Sequence, residues 1–309
     1  IPSEGYYLGQ VSWAGNSSEV IVEKLSRFRD KREILIASVD SGCMKTIFEE
    51  TDPAWVVASY GTNLGLEWFN DYSNFLVLSE KDGWRHAYNC SRDANKQKDI
   101  TPGEFDIIER VAVDKSNGWF YFSASPENGT QSYLFRVRLN GKGKPERLTP
   151  LDQPGFHQYD LSPDCKYAFH TFSSANTPPV TELIKLPEHD VVRVLEDNMD
   201  LLEKTVSLPP KEFFQVDIGN GIIIDGWMIK PGDFDPSHKY PVFVYVYGEP
   251  HAQTVIDSWG HAMGNYHRVI ADLGYLVISM DNRGTPCPKG AAWRRAIAGR
   301  LGPLSTEEQ

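Results

Sequence analysis

Short runs of apolar residues, separated by polar turns, cover the first two hundred residues of the chain. Runs of strand length that are rich in β-branched and aromatic residues are typical of β-strands. Six of them are Val20–Leu25, Glu33–Val39, Phe75–Ser79, Trp119–Ala124, Tyr133–Leu139 and Tyr167–Phe172. Helical periodicity is scarce in this part of the chain. The pattern therefore predicts an all-β region over residues 1–200.

A weak internal repeat runs through the same region. Each unit has an apolar strand, a turn of Asp, Asn, Ser or Gly, and a second strand led by an aromatic residue. The leading residues Phe75, Trp119 and Tyr167 are spaced by roughly 45 residues, and a fainter copy begins at Trp13. A period of this length built from four strands indicates β-propeller blades. A β-sandwich with these aromatic residues in its core is the alternative.

The pattern changes after residue 200. Two apolar runs, Phe213–Ile218 and Ile222–Lys230, flank Gly219-Asn220-Gly221, which predicts a β-hairpin. Farther on, Gly290–Arg300 has the pattern of a helix. We therefore expect a second domain over residues 201–309.

Between these two segments lies a strand–helix–strand pattern. Val242–Tyr247 and Tyr275–Met280 have strand length, and Ile256–Leu273 carries apolar residues at helical spacing. Gly274 follows where a glycine at a helix C-terminus belongs. This order predicts a parallel pair of strands with a right-handed crossover. In such sheets the chemistry lies in the loops that follow the carboxyl ends of the strands.

Those two loops resemble the α/β-hydrolase domain of the prolyl oligopeptidase family, in its dipeptidyl peptidase IV-type branch. Tyr245–Gln253 reads YVYGEPHAQ where the family usually has Tyr-Gly-Gly-Pro or Tyr-Ala-Gly-Pro, and Asp281–Thr285 matches its Asp-x-Arg-Gly-[Ser/Thr]. Other segments with counterparts in these peptidases are Tyr7–Ala14, Gly83–His86, Arg193–Asn198, Arg300–Gly302 and Glu308-Gln309. The resemblance thus covers nearly the whole chain.

The resemblance implies a multi-domain protein. It places a partial β-propeller of about four blades in residues 1–200 and the first part of an α/β-hydrolase domain in residues 201–309. It implies peptide hydrolysis near the N-terminus of the substrate, after proline or alanine, through an acyl-enzyme. The implied partner is a peptide substrate, no cofactor is implied, and a homodimer is an assembly found in the family.

The catalytic group of such an enzyme is not among these residues. In α/β-hydrolases the nucleophilic serine lies in G-x-S-x-G, followed along the chain by the acid and then the histidine. The sequence contains no G-x-S-x-G, and its first residue is Ile1. We therefore expect a truncated piece of a longer peptidase that is inactive by itself. The alternative is a non-catalytic propeller-based module that binds a protein or peptide.

The resemblance assigns roles to three residues of the loops. Tyr247 matches the tyrosine whose hydroxyl donates a hydrogen bond to the oxyanion, a role that needs a donor held where charge develops. Arg283 and His251 are expected to be structural residues near the site. Glu249 replaces the usual glycine, and a carboxylate facing an oxyanion would be unfavourable. The early pair Glu49-Glu50 lacks the surroundings of the glutamates that bind the substrate's amino terminus, and we expect a solvated turn there.

Composition excludes several other functions. The chain has 42 acidic and 31 basic residues and a formal net charge of −11, which argues against a nucleic-acid partner. No apolar run approaches the length of a membrane span. The four cysteines, Cys43, Cys90, Cys165 and Cys287, are too widely spaced for a typical metal site. We expect free buried thiols, with one disulfide as the alternative.

Overall fold

The computed structural model describes residues 5–56 and 66–309. These residues form five four-stranded sheets and a few short helices. The chain divides into two compact units. One comprises residues 1–107, 113–121 and 136–146, and the other comprises residues 108–112, 122–135 and 147–309.

The first two sheets belong to the first unit, and each follows the order of the chain with antiparallel neighbours. The first sheet contains β1 (Tyr6–Trp13), β2 (Glu19–Ser26), β3 (Lys31–Ser38) and β4 (Met44–Thr51). The second contains β5 (Leu66–Phe69), β6 (Asn74–Ser79), β7 (His86–Ser91) and β8 (Gln97–Asp99). One buried cluster that includes Ile21, Ile34, Phe48 and Phe75 forms the core of this unit.

The third and fourth sheets repeat the same chain order. The third contains β9 (Ile107–Asp114), β10 (Trp119–Ala124), β11 (Tyr133–Arg138) and β12 (Glu146–Arg147). The fourth, in the second unit, is antiparallel throughout and contains β13 (Phe156–Leu161), β14 (Tyr167–Ser174), β15 (Thr177–Lys185) and β16 (Asp190–Glu196). All six strands predicted from the pattern are therefore present, within a residue or two of their predicted ends.

The internal repeat corresponds to the first two strands of successive sheets. Phe75, Trp119 and Tyr167 lie at or next to the start of β6, β10 and β14, the second strand of each sheet. The preceding turns contain residues with positive φ: Asn70 (49°), Gly118 (71°) and Cys165 (54°). Asn and Gly tolerate this left-handed backbone, which is why the polar turn recurs in each copy of the internal repeat.

The fifth sheet has the order β17-β18-β20-β19. Its strands are β17 (Lys211–Asp217), β18 (Ile223–Ile229), β19 (Val242–Val244) and β20 (Leu276–Met280). β17 and β18 form the predicted antiparallel hairpin. β19 and β20 form the predicted parallel pair, and β18 joins β20 antiparallel. The carboxyl ends of β19 and β20 therefore lie side by side.

Four α-helices accompany the second unit: α1 (Met199–Thr205), α2 (Gly264–Asp272), α3 (Gly290–Arg295) and α4 (Leu301–Glu308). The prediction of a helix beginning at Ile256 is wrong, because α2 begins only at Gly264. Gly260, Ala262 and Met263 have φ values of 68°, 51° and 59°, which a right-handed helix does not accommodate. Gly274 does follow the helix with a φ of 92°, as expected for a C-terminal glycine.

The buried face of α2 differs from its apolar face. His267, Arg268 and Ala271 are buried, whereas Val269 and Leu273 are 56% and 74% exposed. Helical spacing of apolar residues therefore indicated the helix but not the side that packs on the sheet.

All four cysteines are free thiols, with Cys43 exposed and the other three buried. This confirms the expectation of free thiols, except that Cys43 is not buried. Among the described residues, no helix combines the length and apolar character that crossing a bilayer requires.

Candidate functional site: the loops after β19 and β20

The loops that follow β19 and β20 are joined by a buried carboxylate. Asp281, 2% exposed, accepts hydrogen bonds from the backbone N–H groups of Thr254 (2.9 Å) and Val255 (2.8 Å) and from the Thr254 hydroxyl (2.8 Å). Burial raises the pKa of Asp281, and these hydrogen bonds oppose that increase. The carboxyl group thereby fixes the far end of the first loop against the start of the second.

The near end of the first loop is held at Gly248, the residue after Tyr247. Its carbonyl oxygen accepts hydrogen bonds from the Ser305 hydroxyl (2.9 Å) and from Asn282 Nδ2 (3.4 Å). Gln309 Nε2 in turn donates to Asn282 Oδ1 (3.0 Å) and to the carbonyl of Met280 (2.9 Å). Gly248 has a φ of 71° and is buried, so a side chain there would be strained.

Arg283 is tied to the end of α4. Its backbone N–H and its Nε donate to the Glu308 carboxylate at 2.8 and 2.6 Å, and Nη2 lies 2.6 Å from the same group. The Glu308 side chain is only 3% exposed. A buried carboxylate that receives several charge-assisted donors fixes both partners, so the contacts of Arg283 are those of a residue that holds the loop.

Tyr247 itself projects from this framework. It follows the end of β19 and is 37% exposed. In the described part of the chain its hydroxyl has no hydrogen-bond partner, so the donor is available to a ligand. Glu249 and His251 are exposed in the turn that follows. The Glu249 charge is therefore in contact with water rather than enclosed in the protein.

The pair Glu49-Glu50 is not a solvated turn. Both residues lie in β4, and Glu50 is 7% exposed and pairs with Arg32 at 3.1 Å. Glu49 is exposed and pairs with Lys31 at 2.9 Å. The expectation fails because a strand directs neighbouring side chains to opposite faces, so that one glutamate enters the core.

One group of side chains in the described residues has the composition of a metal site. Asp82, His86 and Asp99 bring one ligand atom each within 4.8 Å of one another in the second sheet. His86 Nδ1 lies 2.7 Å from the Asp82 carboxylate and 3.4 Å from that of Asp99. The contact between His86 Nδ1 and the Asp82 carboxylate has the length of a hydrogen bond.

Sequence reasoning singled out Tyr247 and Arg283 in these loops but assigned no role to the residues that hold the loops together. Asp281, Asn282, Ser305 and Glu308 act through contacts between segments that are about 25–60 residues apart, which no local pattern reveals. The motif Asp-Asn-Arg-Gly was the one available signal, because it follows directly after a predicted strand end.

Comparison with known proteins agrees with this architecture. Residues 1–179 match the family "Dipeptidyl peptidase IV (DPP IV) N-terminal region". A probable dipeptidyl-aminopeptidase B from Emericella nidulans is 29% identical over 97% of this chain and 34% of its own length. Dipeptidyl peptidase 4 from Trichophyton rubrum is 26% identical over 100% of this chain and 40% of its own length.

Solved structures give the same result. The crystal structure of Porphyromonas gingivalis dipeptidyl peptidase 4 superposes with a TM-score of 0.86 at 26% identity, over 98% of this chain and 42% of that one. A putative dipeptidyl aminopeptidase IV from Bacteroides ovatus, at 23% identity and a TM-score of 0.84, shares the fold. The chain spans less than half the length of each of these proteins. With more than half of its residues matched by the family, the chain belongs to the dipeptidyl peptidase IV N-terminal region family.

Proposed function

We propose that these residues are part of a dipeptidyl peptidase IV-like serine peptidase in which Tyr247 donates a hydrogen bond to the oxyanion of the acyl-transfer step. The observation that carries this proposal is the loop after β19. Within the described residues the Tyr247 hydroxyl has no hydrogen-bond partner, while the next residue, Gly248, is held by Ser305 and Asn282. A donor on a fixed backbone costs little reorganisation when negative charge develops.

The division of the chain supports the same proposal. We assign residues 1–200 to a partial propeller of about four blades, supported by four consecutive four-stranded sheets. We assign residues 201–309 to the first part of an α/β-hydrolase domain, supported by a hairpin joined to a parallel pair. The substrate would be a peptide cleaved after proline or alanine near its N-terminus. Glu249 is exposed, so water screens the repulsion between its carboxylate and an oxyanion at the site.

The 309 residues contain no serine elbow, so we expect the isolated chain to lack activity. The purified chain is expected to release no dye from a glycyl-prolyl chromogenic dipeptide and to resist labelling by a fluorophosphonate. Stoichiometric labelling would contradict the proposal. A reading frame that continues into G-x-S-x-G would support it, whereas a stop codon directly after Gln309 would favour the peptide-binding module.

The role of Tyr247 is tested in a polypeptide that extends residues 1–309 with such a downstream serine segment. We expect Tyr247→Phe to lower kcat by about 10²–10³-fold with little change in KM, since the lost donor acts on the transition state. Tyr275→Phe is the matched control, because Tyr275 is similarly exposed (39%) and directly precedes the neighbouring strand β20. Equal activity of the two variants would eliminate the oxyanion role.

A further inference from the structure

A chain of hydrogen bonds runs through the interior of the fourth sheet. His157 in β13 and His170 in β14 are each 1% exposed, and their rings are nearly parallel with 5.1 Å between centroids. His157 Nε2 lies 2.9 Å from the carbonyl oxygen of Gln153, and His157 Nδ1 lies 2.8 Å from His170 Nε2. His170 Nδ1 lies 3.2 Å from the carboxyl group of Glu182 on β15.

The number of protons in this chain follows from its contacts. A carbonyl oxygen only accepts, so His157 Nε2 carries a proton. The contact between the two rings needs one proton, and so does the contact between His170 and Glu182. Three contacts therefore need three protons, whereas two neutral imidazoles and a carboxylate supply two. We infer that His157, His170 and Glu182 form a proton-binding site that holds one proton more than these groups carry separately at neutral pH.

The surroundings place the additional proton on Glu182. Burial lowers the pKa of His157 to about 4 and that of His170 to about 3, so neither ring takes a second proton at neutral pH. Burial raises the pKa of Glu182. The carboxyl group then donates to His170 Nδ1, and both rings are neutral with their proton on Nε2.

Other charged and titratable groups lie next to the three groups of the proton-binding site. Arg147, after β11, disfavours a positive charge on His157, and its guanidinium lies over the Tyr133 ring. His189 lies beside Asp190 and has a lowered pKa because of burial. Tyr159, whose pKa burial raises, bridges His189 Nε2 (3.0 Å) and the Thr149 hydroxyl (2.7 Å). His189 and Tyr159 pack against the His170 ring, and His189 disfavours a second proton on either ring. Their hydrogen bonds do not involve His157, His170 or Glu182, so the proton count is unchanged.

The effect of pH follows from the two directions of pKa change. The raised pKa of Glu182 contributes stability at low pH, which is lost as pH rises through the folded-state value. The lowered pKa values of His157 and His170 contribute stability above about pH 6.5, which is lost as pH falls toward 4 and 3. Once Glu182 is ionised, its carboxylate faces the lone pair of His170 Nδ1, and two acceptors repel each other.

Two groups of the proton-binding site, His170 and Glu182, lie on the β14–β15 hairpin, which contacts the fifth sheet. At the tip between β14 and β15, the N–H of Ala175 donates to Asp257 (2.8 Å), and Asn176 accepts from the N–H of Lys211 (2.9 Å). Arg268 of α2 donates to both tip residues, at 2.8 and 3.0 Å. Release of the proton would therefore loosen a hairpin to which β17 and α2 are bonded.

The tautomer of His170 tests the proposal directly. We expect two-bond ¹H–¹⁵N spectra of the labelled 309-residue chain at pH 7 to show His157 and His170 protonated at Nε2, with signals assigned from His157→Gln and His170→Gln. Protonation of His170 at Nδ1 alone would overturn it, since the contact between the rings would then hold no proton. The result is independent of peptidase activity.

Unfolding in urea at a series of pH values provides the second test. Above about pH 6.5, while the folded chain retains this proton and the unfolded chain does not, we expect the unfolding constant of the wild type to rise about tenfold per pH unit. Glu182→Gln is expected to lack this alkaline limb, because its amide donates to His170 Nδ1 at every pH. Glu203→Gln, at an exposed residue, is the control and should follow the wild type. Identical profiles for Glu182→Gln and the wild type would overturn the proposal.

Discussion

The first and fourth sheets bury polar side chains in opposite ways. In the first sheet Arg32, 1% exposed, lies between the buried carboxylates of Glu23 (2.8 Å) and Glu50 (3.1 Å). In the fourth sheet the two buried histidines pair with each other and with one carboxyl group. A buried charge persists where opposite charges surround it, and elsewhere the group becomes neutral. The first sheet therefore depends on ion pairs, and the fourth depends on proton positions.

Removing the cation of the first sheet should have the largest effect. Arg32→Met leaves Glu23 and Glu50 buried without a counter-ion, and we expect a loss of about 3–5 kcal/mol in the free energy of unfolding, measured in urea. Arg300→Met is the matched control, since Arg300 is 56% exposed and pairs with a 63% exposed glutamate; its loss should stay below about 1 kcal/mol. A loss for Arg32→Met as small as that of the control would show that the pairs contribute little.

Replacing one of the two paired histidines of the fourth sheet should lower the free energy of unfolding by less. His170→Phe keeps an aromatic ring between β13 and β15 but leaves His157 Nδ1 and Glu182 without their partner. Because both partners are uncharged donors or acceptors, we expect a loss of about 1–3 kcal/mol, again from urea unfolding. His238→Phe, at a side chain that is 70% exposed, is the control. If His170→Phe lowers the free energy of unfolding as much as Arg32→Met does, the two sheets do not differ in how their buried polar groups are stabilised.

The fifth sheet contains a buried cation without a paired carboxylate among the contacts described above. Its expected effect on stability is the smallest of the three. Lys211 is 3% exposed and lies over the Trp227 ring, and burial lowers its pKa to about 8. Because the unfolded lysine binds its proton more tightly, stability rises with pH above 8. Between pH 8 and 9 the wild type should gain about fivefold in its folding constant relative to Lys211→Met. Parallel pH profiles would mean that the ammonium group is well solvated.

Much of the fold is predictable from local patterns. The predicted strands, the hairpin around Asn220 and the parallel pair β19–β20 are present, because strand periodicity and turn chemistry act over a few residues. At the site, the motif after β20 indicated Arg283. The start of α2 was mispredicted, since positive φ values are uncommon at residues such as Ala262 and Met263 and no local pattern indicates them.

The sequence by itself determined where the strands and turns lie and which two loops meet at the edge of the fifth sheet. Only the tertiary structure decided which polar groups lose contact with water. Glu50 and His170 stand in strands whose sequences give no sign of their burial, and their partners, Arg32 and Glu182, come from neighbouring strands set by register. Strand formation depends on near neighbours along the chain, whereas burial and protonation depend on groups that folding brings together.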